Sequence, residues 1–301
     1  MALNTIAAVS KFTVDVDGAS AGYLSSFQAP TYEMEEVQGG LGPDYQYVKT
    51  SGLPKIGDAT ATFHVTQAVP LLDWIGSLWK RNVALANTAV HLADQNYRII
   101  RSVEMADCLA TEVSFPDLKA SDGKKTFDIT CKWKPSDISF AKGGGNSSSV
   151  LGGRAKSWLA CNYEVLPCFG LDTKYVTSAS LPKISAKTAT ESFGSQRFQT
   201  PMYSSIEFST IKLEIGRAGY DRAEALAVRA IKNGQIEKIE EDIIVDMLDQ
   251  TMKHVLGTFT MIGCTPKKFE WAPKLEGGKD SNAICTLEFL VQDFRFDIKH
   301  K

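Results

Sequence analysis

The sequence holds no apolar run long enough to cross a bilayer, no excess of either charge, and only four histidines in 301 residues. Each shortage excludes a class. A spanning helix needs about 20 predominantly apolar residues, and residues 1–11 lack the basic start and sustained apolar stretch of a secretory signal. The sequence therefore predicts a chain made and kept soluble in a cytoplasm, with no membrane partner. Lys and Arg number 33 against 35 Asp and Glu, and the balance persists on both sides of residue 150, so counterion-driven binding of nucleic acid is not indicated. His64, His91, His254 and His300 fall in separate segments, with neither metal-ligand spacing nor a nucleophile motif beside them. His64 has the outward parity of its strand and is expected at a surface or interface.

Cysteine is equally uninformative for chemistry. Cys131 shares a strand face with Phe127, Ile129 and Trp133, and Cys285 shares one with Leu287, Phe289 and Val291, so both are small buried hydrophobes. Cys161 and Cys168 lack a second pair or a nearby histidine, which argues against zinc. Gly152, Gly153, Lys156 and Ser157 imitate a phosphate loop but lack the glycine before the lysine, and a linker is the better reading. Asp15, Asp17, Glu33, Glu35 and Glu36 are acids on alternating strand faces, where solvation is a commoner role than acid–base work. No catalytic residue, cofactor or metal is expected, and the chain is not expected to be an enzyme.

What the sequence does contain is the same pattern twice, on either side of a Gly/Ser-rich seam at residues 143–153. Val90, Asp94, Cys108, Phe115, Leu118 and Phe140 before the seam are answered by Val245, Asp249, Cys264, Trp271, Leu275 and Phe296 after it, at a constant spacing of 155 to 157 residues. A tandem duplication points to assembly rather than chemistry, because each copy carries its own pseudo-symmetric interface. The expected divisions are a first domain at 1–142, a linker at 143–157 and a second domain at 158–301, each domain long enough for an ordinary core.

Within the first copy, Phe12, Val14 and Val16 alternate with Thr13, Asp15 and Asp17 before a turn at Asp17–Gly18. Residues 23–37 read as extended, and Gly39 and Gly40 open a loop. Ala59, Ala61, Phe63 and Val65 share a strand face. A helix over 70–81 follows, with Pro70 in its first turn and Leu71, Trp74, Ile75 and Leu78 as its stripe. Trp74 is read as core rather than a docking aromatic. A hairpin through 94–96 and two further strands close the unit. In the second copy Asp221 and Glu224 form a capping-box pattern ahead of Leu226, Ala230 and Ile231, and Asn233–Gly234 is a stop signal. Residues from Tyr175 onward match those from Tyr47 at a spacing of 128 and those from Tyr23 at 152; the second needs far less insertion and is preferred. Many short strands plus one helix, repeated, make the class mainly β (α+β): two small barrels or sandwiches, each flanked by a short helix.

The order of Phe12 to Gly18, Gly22 to Phe27, an acidic strand, Gly39–Gly40, Leu53-Pro54-Lys55, a strand and a short helix resembles the tail tube proteins of contractile-tailed bacteriophages and related injection systems. The run from Cys108 to Phe115-Pro116-Asp117-Leu118 is similar to that family's closing segment. The resemblance covers nearly all of 11–140 and, more loosely, 160–298. The second copy departs from it most at 186–201, where Ser/Thr-rich sequence stands in place of the Gly-Gly loop.

The resemblance implies domains that pack into six-membered rings and stack into a hollow tube. With two domains per chain, three chains complete a pseudo-hexameric ring of the inner tube or its base, assembled in a bacterial cytoplasm and carried in a virion tail or injection particle. Sheath, baseplate or spike proteins would adjoin it, and DNA or a protein effector would pass through without sequence-specific binding. Asp15, Asp17, Glu33 and Glu35 are candidates to line the lumen and repel phosphate. The loop at 39–51, with Gly39, Gly40, Tyr45 and Tyr47, and the insert at 186–201, with Ser192, Phe193 and Arg197, are candidates for ring-to-ring contacts. Two other readings remain open: a baseplate hub adapting a sixfold tube to a threefold spike, which would carry large additional domains, and a small-ligand β-barrel, which would need an apolar cavity where bulky Phe, Trp and Ile point inward.

Overall fold

The computed structural model describes residues 12–41, 46–66, 68–82, 84–94, 98–144, 158–191, 200–235, 239–271 and 284–299. The first half runs β1 (Phe12–Val16), β2 (Ala19–Tyr23), β3 (Ser26–Gln28), β4 (Tyr32–Leu41), β5 (Gln46–Ile56), β6 (Ala59–His64), α1 (Val69–Trp79), β7 (Ala86–Ala93), β8 (Ile99–Ser114), β9 (Leu118–Lys119), β10 (Asp128–Lys134) and β11 (Asp137–Lys142). The second runs β12 (Tyr163–Val165), β13 (Val176–Ser180), β14 (Ile184–Glu191), β15 (Thr200–Phe208), β16 (Ile211–Gly216), α2 (Tyr220–Ala227), β17 (Glu241–Leu248), β18 (Val255–Glu270), β19 (Ile284–Leu290) and β20 (Asp293–Ile298). The fold is mainly β, with antiparallel pairing throughout.

One long strand organises each half. The first part of β8 lies between β7 and β11, and its last part pairs with β10. The change of partner comes at Asp107, whose backbone has a positive φ of 45° and whose amide donates to Asn87 Oδ1 at 3.1 Å. A residue in this left-handed region turns a strand sharply, and Asp tolerates it better than most residues. β18 repeats the device between β17, β20 and β19, with Gly263 at φ 64° and its amide on Asp242 Oδ1 at 3.0 Å. Even the thiols agree: Cys108 Sγ donates to the Met105 carbonyl and Cys264 Sγ to that of Met261, both at 3.4 Å. Two sheet layers joined by one bent strand enclose a core at each site.

That core follows the alternation read from the sequence. Ile129, Cys131 and Trp133 of β10 are buried, as are Cys285, Leu287 and Phe289 of β19. Helix α1 adds Leu71, Trp74, Ile75 and Leu78, α2 adds Ala223, Leu226 and Ala227, and the π-helical turn Val228–Lys232 that follows adds Ala230. Pro70 stands in the first turn of α1, where its missing amide leaves no bond unmade. The capping box expected at Asp221 is not formed. A short 3-10 turn at Arg217–Gly219 leads directly into α2, so Gly219 is the N-cap and Asp221 lies inside the first turn, where its charge still suits the helix dipole.

Strand register establishes which residues correspond. Ala61 faces Cys131 as Leu213 faces Leu287, and Phe140 faces Val103 as Phe296 faces Phe259. Phe27 faces Ala61 as Ala179 faces Leu213, and Tyr32 faces Ile56 as Ile184 faces Phe208. The front halves thus correspond at a spacing of 152 and the back halves at 155 to 156; the spacing of 128 has no register behind it. The loop expected to open at Gly39 is a hairpin instead: Gly39 and Gly40 lie in β4 opposite Val48 and Tyr47 of β5. The insert expected at 186–201 has the same form, for Ala186 pairs with Ile206 in β14–β15 as Met34 pairs with Pro54 in β4–β5. A two-stranded ladder satisfies backbone groups that a long loop would leave to water.

Candidate assembly surfaces

The halves are joined by strands that cross between them. β14 continues the sheet beyond β8, with Ile184 opposite Val113 and Ser185 opposite Glu112. In the other direction β9 pairs with β13, Leu118 facing Ala179, and a single bridge links Thr126 to Leu159. The Tyr203 hydroxyl, on β15, donates to the Ala110 carbonyl at 2.8 Å, and burial pushes its pKa up to about 12. Glu112 binds Lys132 at 3.1 Å and Lys183 of the other half at 2.8 Å. Burial alone would raise its carboxyl, but the two ammonium groups overcome that and hold it below the ordinary value.

Aromatic packing fills the join. The Phe115 ring lies 5.3 Å from Phe259, 5.5 Å from Phe294 and 6.2 Å from Phe296, with Phe127 of its own half at 6.4 Å. Trp79 of α1 meets Phe294 and Phe296 edge-on or tilted, and Arg81 reaches Asp293 at 3.4 Å. Trp158 packs on Phe127 and Phe296. Its indole fills the space where a Cβ on Gly257 would stand, 2.6 Å away. His64, expected at a surface or interface, is buried beside this join, its Nδ1 3.0 Å from the Thr66 hydroxyl, and burial lowers its pKa. Its outward parity is covered because the Trp158 backbone lies against its ring.

The candidate lumen acids lie on two different sheets. Asp15 is half-buried on β1, with Oδ2 3.1 Å from His91 Nε2. Asp17 is exposed at the following turn and accepts from the Asn87 amide at 2.8 Å. Glu33 and Glu35 stand on β4 of the two-stranded sheet; Glu35 is paired with Lys55, and Glu33 accepts from the Thr31 hydroxyl at 3.4 Å. Register adds a residue that the linear sequence did not single out. His91 Nδ1 is 2.7 Å from Ser102 Oγ, so Asp15, His91 and Ser102 form a chain across β1, β7 and β8. Their order imitates a nucleophile relay. However, β8 is paired on both sides at Ser102, so its amides are held in the ladder and cannot serve an oxyanion. The second half keeps the cross-strand bond as Thr258 to Asp246 at 2.6 Å; Val165 faces Val245 as Val14 faces Val90, a local spacing of 151, so Leu166 stands where Asp15 would. A repeated polar rung of the sheet accounts for both. Strand parity could have placed 15, 91 and 102 outward; only register brings them together.

Of the ring-contact candidates, Gly39, Gly40 and Tyr47 are paired in the β4–β5 ladder. Tyr45, Ser192, Phe193 and Arg197 lie outside the described residues, as do His300 and Leu275. All six cysteines are free thiols. Burial pushes Cys108 and Cys285 up to about 11 and Cys168 and Cys264 up to about 12, so these sulfurs stay protonated and unreactive. Among the described residues no cluster of His, Cys, Asp and Glu could hold a metal ion, and no helix is long and apolar enough to cross a membrane.

A sheet bent at a bulge, a covering helix and a projecting hairpin, present twice, invite comparison with known families. A model of the family described as T4-like virus tail tube protein gp19 matches residues 9–128 and again 159–295. The chain belongs to that family. It is a tail tube protein by descent, carrying the family's unit in tandem, and its relatives are structural components. No curated protein matches. Among solved structures it is similar to a chain of the anti-feeding prophage baseplate, 6-fold symmetrised, at 15% identity and a TM-score of 0.41, over 46% of this chain and 98% of that one. A chain of the anti-feeding prophage cap shares 15% identity with a TM-score of 0.43, over 50% of this chain and 99% of that one. Hcp1 from Flavobacterium johnsoniae shares 9% identity with a TM-score of 0.29, over 45% and 98%.

Proposed function

We propose that this tail tube protein forms a ring of three chains in which six tube domains surround a channel, as a layer of an inner tail tube or of its base. The domains are 1–142 and 158–301, tethered by 143–157. The observation that carries the reading is the family unit occurring twice in one chain, with its two copies already paired edge to edge. A contact between unlike faces of similar units closes into a ring when its rotation divides a full turn. Three tandem chains then supply the six positions.

The channel passes DNA or a protein effector without binding it specifically, and the neighbours are sheath, baseplate or spike proteins of a tail or injection particle assembled in a bacterial cytoplasm. Asp15, Asp17, Glu33 and Glu35 supply negative charge that keeps phosphate off the wall. Because the two pairs of acids sit on different sheets, charge reversal of each pair in turn tells which one lines the channel; ejection unchanged by both rules out this role. The β4–β5 and β14–β15 hairpins meet the next ring, so trimming them leaves folded rings that do not stack. Negative-stain microscopy of the purified chain tests the class: annular particles with a central hole are expected, and a uniformly monomeric field refutes it.

A further inference from the structure

We propose that the join within the chain is built a second time between chains: the free end of the second half receives the first half of another copy, in the register by which the first half receives the second. The proposal rests on the ring reading above and adds the surfaces and the register. Three components of the intrachain join, its strand edge, its large apolar contacts and the Arg81–Asp293 contact, can be carried across by the spacings that register established.

The strand edge comes first. Residues 109–114 of β8 have β10 on one side and β14 on the other. The corresponding stretch of β18, residues 265–270, pairs with β19, and among the described residues nothing covers its other edge. An uncovered edge offers a ready row of donors and acceptors. The strand that corresponds to β14 is β4, which among the described residues pairs with β5 alone. Ile184 opposite Val113 becomes Tyr32 opposite Phe269, and Ser185 opposite Glu112 becomes Glu33 opposite Lys268, a pair of opposite charges.

The side chains follow. Phe115 corresponds to Trp271, which is 59% exposed, and the Phe259, Phe294 and Phe296 that receive Phe115 correspond to Val103, Ile138 and Phe140. Phe140 is 63% exposed, although its counterpart Phe296 is buried. Trp79, buried against Phe294 and Phe296, corresponds to Ile231, 42% exposed; Ile184, fully buried, corresponds to Tyr32, 45% exposed. The Arg81–Asp293 contact becomes Asn233 facing Asp137, an amide donor opposite a carboxylate. Residues covered at the inner join are thus matched by large, partly exposed residues at the two outer ends: Trp271 and Ile231 on one, and on the other Phe140 with Tyr32, whose ring lies 6.2 Å from that of Phe140 and whose hydroxyl donates to the Ile138 carbonyl at 2.8 Å. The occupant that fits both is a second copy of this chain, since the inner join already shows such faces complementary.

Two full-length variants test the register, Glu33→Cys with Lys268→Cys and Tyr32→Cys with Phe269→Cys, oxidised at assembling concentration beside the unsubstituted chain. Directly opposed residues of an antiparallel pair sit about 4.5–5.5 Å apart at Cα, within disulfide reach. A covalent ladder ending at three chains is expected in at least one variant and not in the control. In parallel, Trp271→Glu is expected to keep the unsubstituted melting temperature and to weaken self-association about a hundredfold, as removal of a central aromatic anchor does. Rings of three chains with no interchain disulfide at either pair, or with assembly untouched by Trp271→Glu, overturn the pairing and leave the ring reading standing. A chain that stays monomeric at high concentration overturns both.

Discussion

Replacing Phe115 with alanine removes the ring that ties the two halves together. Three of its four aromatic neighbours, Phe259, Phe294 and Phe296, belong to the second half, at centroid separations of 5.3 to 6.2 Å. A fully buried Phe→Ala change costs about 3–5 kcal/mol. Phe115 is half-buried, so part of its surface already meets water, and a loss of roughly 2–3 kcal/mol is expected from the same scale. For a domain of this general size each kcal/mol moves the melting temperature by about 2–4 °C, so a fall of about 5–10 °C follows. Because buried residues of both halves form one continuous cluster, the unsubstituted chain is expected to melt in a single calorimetric transition and the variant to show a broadened or divided one. Trp271→Ala, at the corresponding position, is the comparison: its ring is exposed in the single chain, and its stability is expected to stay within about 0.5 kcal/mol of the parent. A Phe115→Ala chain that melts within a degree of the parent, in one equally sharp transition, would refute the claim that this ring couples the halves.

Gly257→Ala is expected to lower stability by about 1–3 kcal/mol through overpacking, because the new Cβ would stand 2.6 Å from Trp158 and 3.2 Å from Phe296; the denaturant midpoint measures it. The His64 pKa is lowered by burial, so its contribution is fully present above the unfolded value of about 6.5 and is lost as pH falls below that value towards the folded one. Stability measured downward from pH 7 should decline over that window, and less steeply in His64→Gln. Lys183→Met removes one of the two ammonium groups that hold Glu112 below its ordinary value, and an NMR titration should find that carboxyl moved upward.

The repeat was legible where buried side chains recur at fixed register. Asp94 and Asp249, placed by spacing alone, do the same work: each accepts backbone amides at the turn after its strand, from Arg98 in one case and from Lys253 and Thr251 in the other. The front halves were harder, because Tyr47 on β5 and Tyr175, in the 3-10 turn before β13, open similar words in unrelated elements, and only pairing selects the spacing of 152. Gly39 and Gly40 read as a loop opening because glycine is common in turns, yet their pairing with Val48 and Tyr47 extends a hairpin. The Asp15–His91–Ser102 chain and the burial of His64 depend on which strands become neighbours, and the partners lie tens of residues apart. The acids named for the channel wall were found one at a time by alternation, which could not reveal that they occupy separate sheets.

The central claim is that one chain supplies two neighbouring positions of a six-position ring. Native mass spectrometry of the assembled full-length protein tests it most directly. The account predicts a dominant species of three copies of the 32.9 kDa chain. A closed ring of six chains, or a chain that remains single at every concentration, would contradict it.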